Sequence, residues 1–304
     1  MESFCTIITS NYFFYVKAIC DSFNSFDLKV KLQVLIVDDF EGDFSYDGVE
    51  VHVINDLKVS FKNDYNLIKH YEDDKASNLR WALKPLFLKY LLLEKRFEKV
   101  IFVDPDLYFY NSPLFLFDYL NNSDVIITPH WRSKDPIKDV SNFNSLFTGG
   151  LFNAGFFGCN SNSTNVLDWW LSVCAYKMKK KDGFYVDQAY LNLMPIYFPS
   201  QVKILEHKGC NVSNWNMIEC KRTSAGDTVL INSEYPIVFI HYTNATINII
   251  ANGNDYLLKP FLKQYHDSLL KHNETFLFNK TMSLPQKKKS GFSLKLKIRN
   301  LFKI

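Results

Sequence analysis

Short apolar runs rich in β-branched residues recur along this chain with helix-period stripes between them, and that alternation limits its fold more than any other feature. Residues 4–9 form the first run, and Val16, Ile19, Cys20 and Phe23 follow at helical spacing. Residues 32–37, 49–54 and 100–103 repeat the strand pattern, with Leu83, Leu86, Phe87, Tyr90 and Leu91 as a helical stripe before the last of them. Further strands are expected at 125–128, 151–158, 202–205 and 237–240, and helices at 166–178 and 186–193. Strands alternating with helices predict an α/β fold whose mostly parallel central sheet is flanked by helices. No internal repeat is visible. The polar, Asn- and Ser-rich stretch 132–147 reads as a long loop, either a flap over a substrate or a passive insertion.

With 304 residues, 47% of them hydrophobic, the chain can bury a large core, and one domain over residues 1–280 is expected. Pro285 and the lysines at 287, 288 and 289 mark its end. The tail 281–304 interleaves cations with Phe292, Leu294, Leu296, Ile298, Leu301 and Phe302, which suits either a solvated tail or attachment to an anionic membrane surface. All eight charges after Glu274 are positive, so residues 1–274 carry about −5, which argues against a nucleic-acid partner. No stretch approaches the roughly 20 apolar residues of a membrane span, and Met1-Glu2-Ser3-Phe4 does not resemble a secretory signal. The expectation is a cytoplasmic protein, with the inner face of the cytoplasmic membrane as the site of any peripheral attachment. Cys5, Cys20, Cys159, Cys174, Cys210 and Cys220 are scattered and read as reduced thiols, and the Asn-x-Ser/Thr triplets at Asn211 and Asn244 read as chance matches.

Three apolar runs end in groups able to bind a cation or a sugar: Asp38-Asp39 after the second strand, Asp104-Pro105-Asp106 after 100–103, and His241 after 237–240. In open α/β sheets the carboxyl ends of the strands line the ligand crevice. Two carboxylates two residues apart, stiffened by a proline, can face one hard cation, and Mg²⁺ or Mn²⁺ takes one or two carboxylates together with substrate phosphates. Taken alone, Asp-Pro-Asp is equally a polar turn, and His241 equally a core histidine bonded to a carbonyl.

Taken together, Thr6-Ile7-Ile8-Thr9-Ser10-Asn11-Tyr12, Ala82-Leu83-Lys84-Pro85, Val103-Asp104-Pro105-Asp106, Phe152-Asn153-Ala154-Gly155, Val186-Asp187-Gln188 and His241-Tyr242 make the sequence similar to the retaining glycosyltransferases of family 8 and related bacterial surface-polysaccharide transferases, over residues 4–270. The resemblance implies the GT-A fold and transfer of a hexose-type sugar from a nucleotide diphosphate donor, expected to be a UDP-sugar, to a glycan or lipid-linked glycan. It implies Mn²⁺ or Mg²⁺ on Asp104, Asp106 and His241, with Thr9, Asn11 and Asp38 toward the nucleoside. It further implies Lys84, Asn153, Ala154 and Gly155 at the donor, and Asp187 and Gln188 at the transferred sugar. Asp187 could otherwise cap a helix, Lys84 could be a solvated lysine, and residues 153–155 could be a tight packing site.

The family's glycine and Lys-Pro-Trp after the metal histidine are absent; Thr243, Asn244, Ala245, Thr246 and Ile247 stand there instead. Two competing classes remain. A haloacid dehalogenase-like phosphatase also ends a strand in Asp-x-Asp, although Leu107-Tyr108 replace the small residues expected next. A nucleotide-sugar-binding scaffold without turnover is the other.

Overall fold

A computed structural model describes residues 1–28, 30–39, 44–73, 78–226 and 228–273, so the tail 281–304 and the domain boundary expected near 280 lie outside the described residues. The strands are β1 (Glu2–Ile8), β2 (Leu32–Ile36), β3 (Val49–Val53), β4 (Lys99–Val103), β5 (Leu107–Phe109), β6 (Val125–Pro129), β7 (Phe152–Asn160), β8 (Val202–Ile204), β9 (Arg222–Ala225), β10 (Thr228–Ile231), β11 (Tyr235–Pro236) and β12 (Phe239–His241). The helices are α1 (Phe13–Asn24), α2 (Ile54–Ser60), α3 (Lys62–Ile68), α4 (Asn78–Leu93), α5 (Phe115–Tyr119), α6 (Val140–Thr148), α7 (Thr164–Tyr176), α8 (Met194–Tyr197), α9 (Asn244–Ala251) and α10 (Lys259–His272).

Among the described residues, seven strands form the central sheet in the order β3-β2-β1-β4-β7-β6-β8. Pairing is parallel from β3 to β4 and between β6 and β8, while β7 runs antiparallel to both its neighbours. The pleat distributes the core between two faces. Cys5 and Ile7 of β1, with Val100 and Phe102 of β4, pack under α3, α4 and α7. Phe4 and Ile8, with Ile101 and Val103, pack under α1 and α5.

Three elements depart from the sequence reading. The helical stripe begins at Leu83, but α4 starts at Asn78, so Lys84 lies inside the helix. Pro85 sits mid-helix, where it removes one backbone donor. The stretch 132–147 is not loop throughout: Asp139 accepts the Asn142 N–H (3.0 Å) and caps α6, none of whose residues is buried. Residues 188–192, expected as helix, form a 3-10 turn.

A fourth departure concerns His241, whose strand lies outside the central sheet. Strand β12 pairs antiparallel with β5, setting His241 opposite Leu107, and the Tyr242 N–H donates to the Asp106 carbonyl (2.8 Å). On the other edge of β12, the Val238 N–H donates to Gly209 O (2.8 Å) and the His241 N–H to Val212 O (2.9 Å). This crossing is so close that a Cβ on Gly209 would lie 1.8 Å from the Pro236 carbonyl oxygen. The obstacle is backbone, so the strands must part to admit it. Gly209→Ala is expected to cost about 2 kcal/mol or more of stability and to weaken cation binding by moving His241; a lower denaturant midpoint together with weaker Mn²⁺ binding checks it.

Candidate active site

Strand β4 ends at Val103, and the turn Asp104-Pro105-Asp106 leads straight into β5. The Asp104 N–H donates to Gly155 O (2.8 Å) and the Leu107 N–H to Asp104 O (3.1 Å), which fixes the turn. Because β5 also carries β12, one short segment brings both carboxylates and the imidazole together. The ligand atoms of Asp104, Asp106 and His241 all lie within 4.8 Å of one another. His241 Nε2 is 3.1 Å from Asp106 Oδ1, and its Nδ1 hydrogen-bonds with the Asn153 amide (2.8 Å). Asn153 is held in turn by Asn211 (2.7 Å) and by the Gly155 N–H (2.8 Å), so the ring is locked with Nε2 toward the carboxylates. Asn211 is fully buried and cannot present itself for glycosylation in this fold.

Gly155 leaves the space in which these groups meet. A Cβ there would lie 2.7 Å from both Asp104 Oδ2 and His241 Cε1. Two carboxylates and an imidazole around such a gap suit a borderline-hard divalent ion such as Mn²⁺ or Mg²⁺.

Lys84 sits behind this cluster, where the β6/β7 register shifts between Ile127 and Thr128. The irregularity frees the Ala154 peptide from the ladder, and two side chains take its place. Lys84 Nζ donates to Ala154 O (2.9 Å), and Gln188 Oε1 accepts the Ala154 N–H (3.2 Å) while its Nε2 donates to Gly149 O (2.6 Å). Lys84 is buried, and its ammonium also meets Asp187 Oδ2 (3.1 Å) and Asp104 Oδ1 (3.4 Å). Burial disfavours its charge, yet the two carboxylates overcome that and hold its pKa above the ordinary lysine value. Burial raises the Asp187 pKa, with Lys84 opposing. The Asp187 carboxylate makes no capping bond, so Lys84 takes the place of the helix-cap alternative.

Lys84, Asp104 and Asp106 border a cleft of about 980 Å³ whose walls also include Asn11, Tyr12, Arg80, Trp81, Lys180 and Asn244, whereas His241, Asn153, Ala154, Gly155, Asp187 and Gln188 lie behind its lining. Of the residues expected near the nucleoside, Asn11 lines the cleft. Thr9 donates to Asn11 Oδ1 (2.6 Å), and Asp38 takes the Ser10 N–H and hydroxyl (both 2.7 Å), bracing the turn after β1. Sequence reasoning missed Arg80, Trp81 and Lys180. The signal was present for the first two, which precede Lys84 by about one helical turn and so share its side of α4.

The architecture matches solved structures. The galactosyltransferase LgtC, in complex with donor and acceptor sugar analogues, superposes with a TM-score of 0.54 at 16% identity over 89% of this chain and 96% of that one. The fold is GT-A. Mouse xyloside xylosyltransferase 1 in its apo form matches with a TM-score of 0.50 at 14% identity, over 81% of this chain and 99% of that one. The Bacillus subtilis uncharacterised protein YfnF is 23% identical over 288 residues, spanning 89% of this chain and 92% of its own. No protein-family model matches. A GT-A fold sets aside the haloacid dehalogenase-like alternative. Among the described residues, no helix is long and apolar enough to cross a membrane.

Two outcomes follow from this geometry. Burial pulls the His241 pKa down, but Asp106 and then Asp104 raise it above its ordinary 6.5. A cation on Nε2 competes with the proton there, so affinity is full above the raised pKa and falls about tenfold per pH unit below it; Mn²⁺ calorimetry between about pH 5 and 8 reads the slope. Lys84→Met, which leaves Asp187 buried without its partner, is expected to cost about 3–5 kcal/mol in denaturant unfolding.

Proposed function

We propose that this chain is a metal-dependent glycosyltransferase that moves a hexose-type sugar from a nucleoside diphosphate donor, most simply a UDP-sugar, to a glycan or lipid-linked glycan in surface-polysaccharide synthesis. One observation carries the reading: Asp104 and Asp106 line a large cleft in a GT-A fold, and their carboxylates converge with the His241 imidazole just behind that wall. The LgtC structure, which holds donor and acceptor sugar analogues, supports the same two-substrate use of the cleft.

In this reading the two carboxylates and His241 Nε2 hold Mn²⁺ or Mg²⁺, with Gly155 leaving them room. The bound ion supplies Lewis acidity to the departing diphosphate. Tyr12 stacks on Tyr15 (5.6 Å, 16°) and offers an aromatic ring beside Asn11 for the base. The lysine that the family carries after its metal histidine is missing, and Lys84 already has three partners. Arg80 and Lys180, both on the cleft wall, are therefore the cations left to balance the diphosphate.

Asp187 and Gln188 are carried to the transferred sugar by the resemblance alone; neither lines the cleft, and they are held in place by Lys84 and by the Gly149 and Ala154 peptides. Fixed dipoles stabilise developing charge without reorganising. Retention of configuration extends the resemblance: the acceptor attacks from the face the diphosphate leaves, and a phosphate oxygen takes its proton, so no strong protein base is required.

A panel of sugar nucleotides with Mn²⁺ tests the proposal. Release of nucleoside diphosphate from at least one donor is expected, lost on chelation and reduced about a hundredfold or more in Asp106→Ala. Ion-assisted nucleotide binding with no turnover of any donor would establish the scaffold reading instead.

A further inference from the structure

The cleft continues past the donor wall. Trp81 and Lys180 also line a second groove of about 450 Å³, together with Met178, Lys179, Lys181 and Val186. A transferase must bring an acceptor hydroxyl to the donor sugar, and this groove lies in the right place for it. Val186 directly precedes Asp187, the carboxylate that Lys84 holds beside Asp104.

The groove's rim is built rather than loose. The Val186 N–H donates to Lys179 O (3.1 Å), the Phe184 N–H to Lys181 O (3.0 Å) and the Tyr190 hydroxyl to Lys177 O (2.7 Å). Asp182, Gly183 and Val186 take left-handed φ values of +58°, +82° and +45°. For β-branched Val186 that conformation is strained, so the turn holds its shape against a local penalty. The result is three consecutive exposed lysines presented along one edge.

Their charge is almost unopposed. No acid lines the groove among the described residues. Asp182 lies 4.0 Å from Lys181, with both side chains 66% exposed, a geometry in which an ion pair contributes little. Lys180 lies over the Trp81 ring at 4.9 Å, which keeps one indole edge beside the cationic rim. Lysine ammonium groups act as mobile point charges and accept phosphate or carboxylate alike.

We infer that this groove receives an acceptor carrying negative charge, with Lys179 and Lys181 meeting its phosphate or carboxylate groups and Trp81 meeting the apolar side of its sugar. The inference rests on the transferase reading of the adjoining cleft and narrows the acceptor from any glycan to an anionic one.

The full chain, in chelator so that Asp104, Asp106 and His241 hold no ion, is titrated calorimetrically with glucose 6-phosphate, glucuronic acid and glucose. The anionic sugars are expected to bind roughly fivefold or more tightly than glucose, and the advantage should shrink as salt shortens the screening length to about 3 Å. The double variant Lys179→Gln/Lys181→Gln should abolish the preference, and Lys179→Arg/Lys181→Arg should keep it, which separates lost charge from lost structure. Preference for the phosphate alone would assign the groove to phosphorylated acceptors. Equal binding of all three sugars, or a preference that survives the glutamines, overturns the inference. Mn²⁺-dependent nucleotide binding is read on a chelator-free portion of the same protein. Its loss with the anion preference intact would strike the transferase reading and leave the groove's specificity standing.

Discussion

One buried ammonium organises this molecule's reactive side. Lys84 has three N–H groups and three acceptors within reach: the Ala154 carbonyl, Asp104 and Asp187. An ammonium without partners could not remain charged at that depth, and Asp187 could not remain ionised without it. The match of donors to acceptors offsets the burial of both groups, and it ties helix α4 to the end of β4, to the irregular part of β7 and to the turn that begins at Gln188. Asp104 divides its oxygens, Oδ1 toward Lys84 and Oδ2 toward the gap left by Gly155. The position of one side chain of the candidate ion site is therefore set from the protein interior.

The rest of the cluster is positioned by backbone. The β6/β7 irregularity leaves the Ala154 peptide free for Lys84 and Gln188, and Gly155 makes room for two ligands at once. Strand β12, pressed against β5 on one edge and the 209–212 segment on the other, presents His241 at one height only. A shift of one residue along that ladder would turn the imidazole to the opposite face.

Much of this was legible from local patterns. Strand periodicity predicts β1, β2, β4 and their order with the helices between, and strand-end placement together with the family resemblance groups Asp104, Asp106 and His241. What the sequence concealed were relations between distant segments. The 237–240 run looks like another parallel strand, because apolar spacing does not say which neighbour a strand takes; its partner proved to be β5, antiparallel and outside the main sheet. The helical stripe opens at Leu83, while tertiary packing extends α4 back to Asn78 and through Pro85. Capping by Asp139 turned part of an Asn/Ser-rich stretch into α6. The irregularity in β7 has no sequence mark beyond small residues, and Arg80 and Lys180 became site residues only once the cleft existed.

The β5/β12 ladder has a consequence for the whole chain. Asp104 belongs to the turn that ends the central sheet, whereas His241 lies on the strand that opens into the C-terminal helices α9 and α10. An ion gripped by both would act as a clasp between these two parts of the chain, and whatever free energy its capture released would also fasten the C-terminal helices to the sheet.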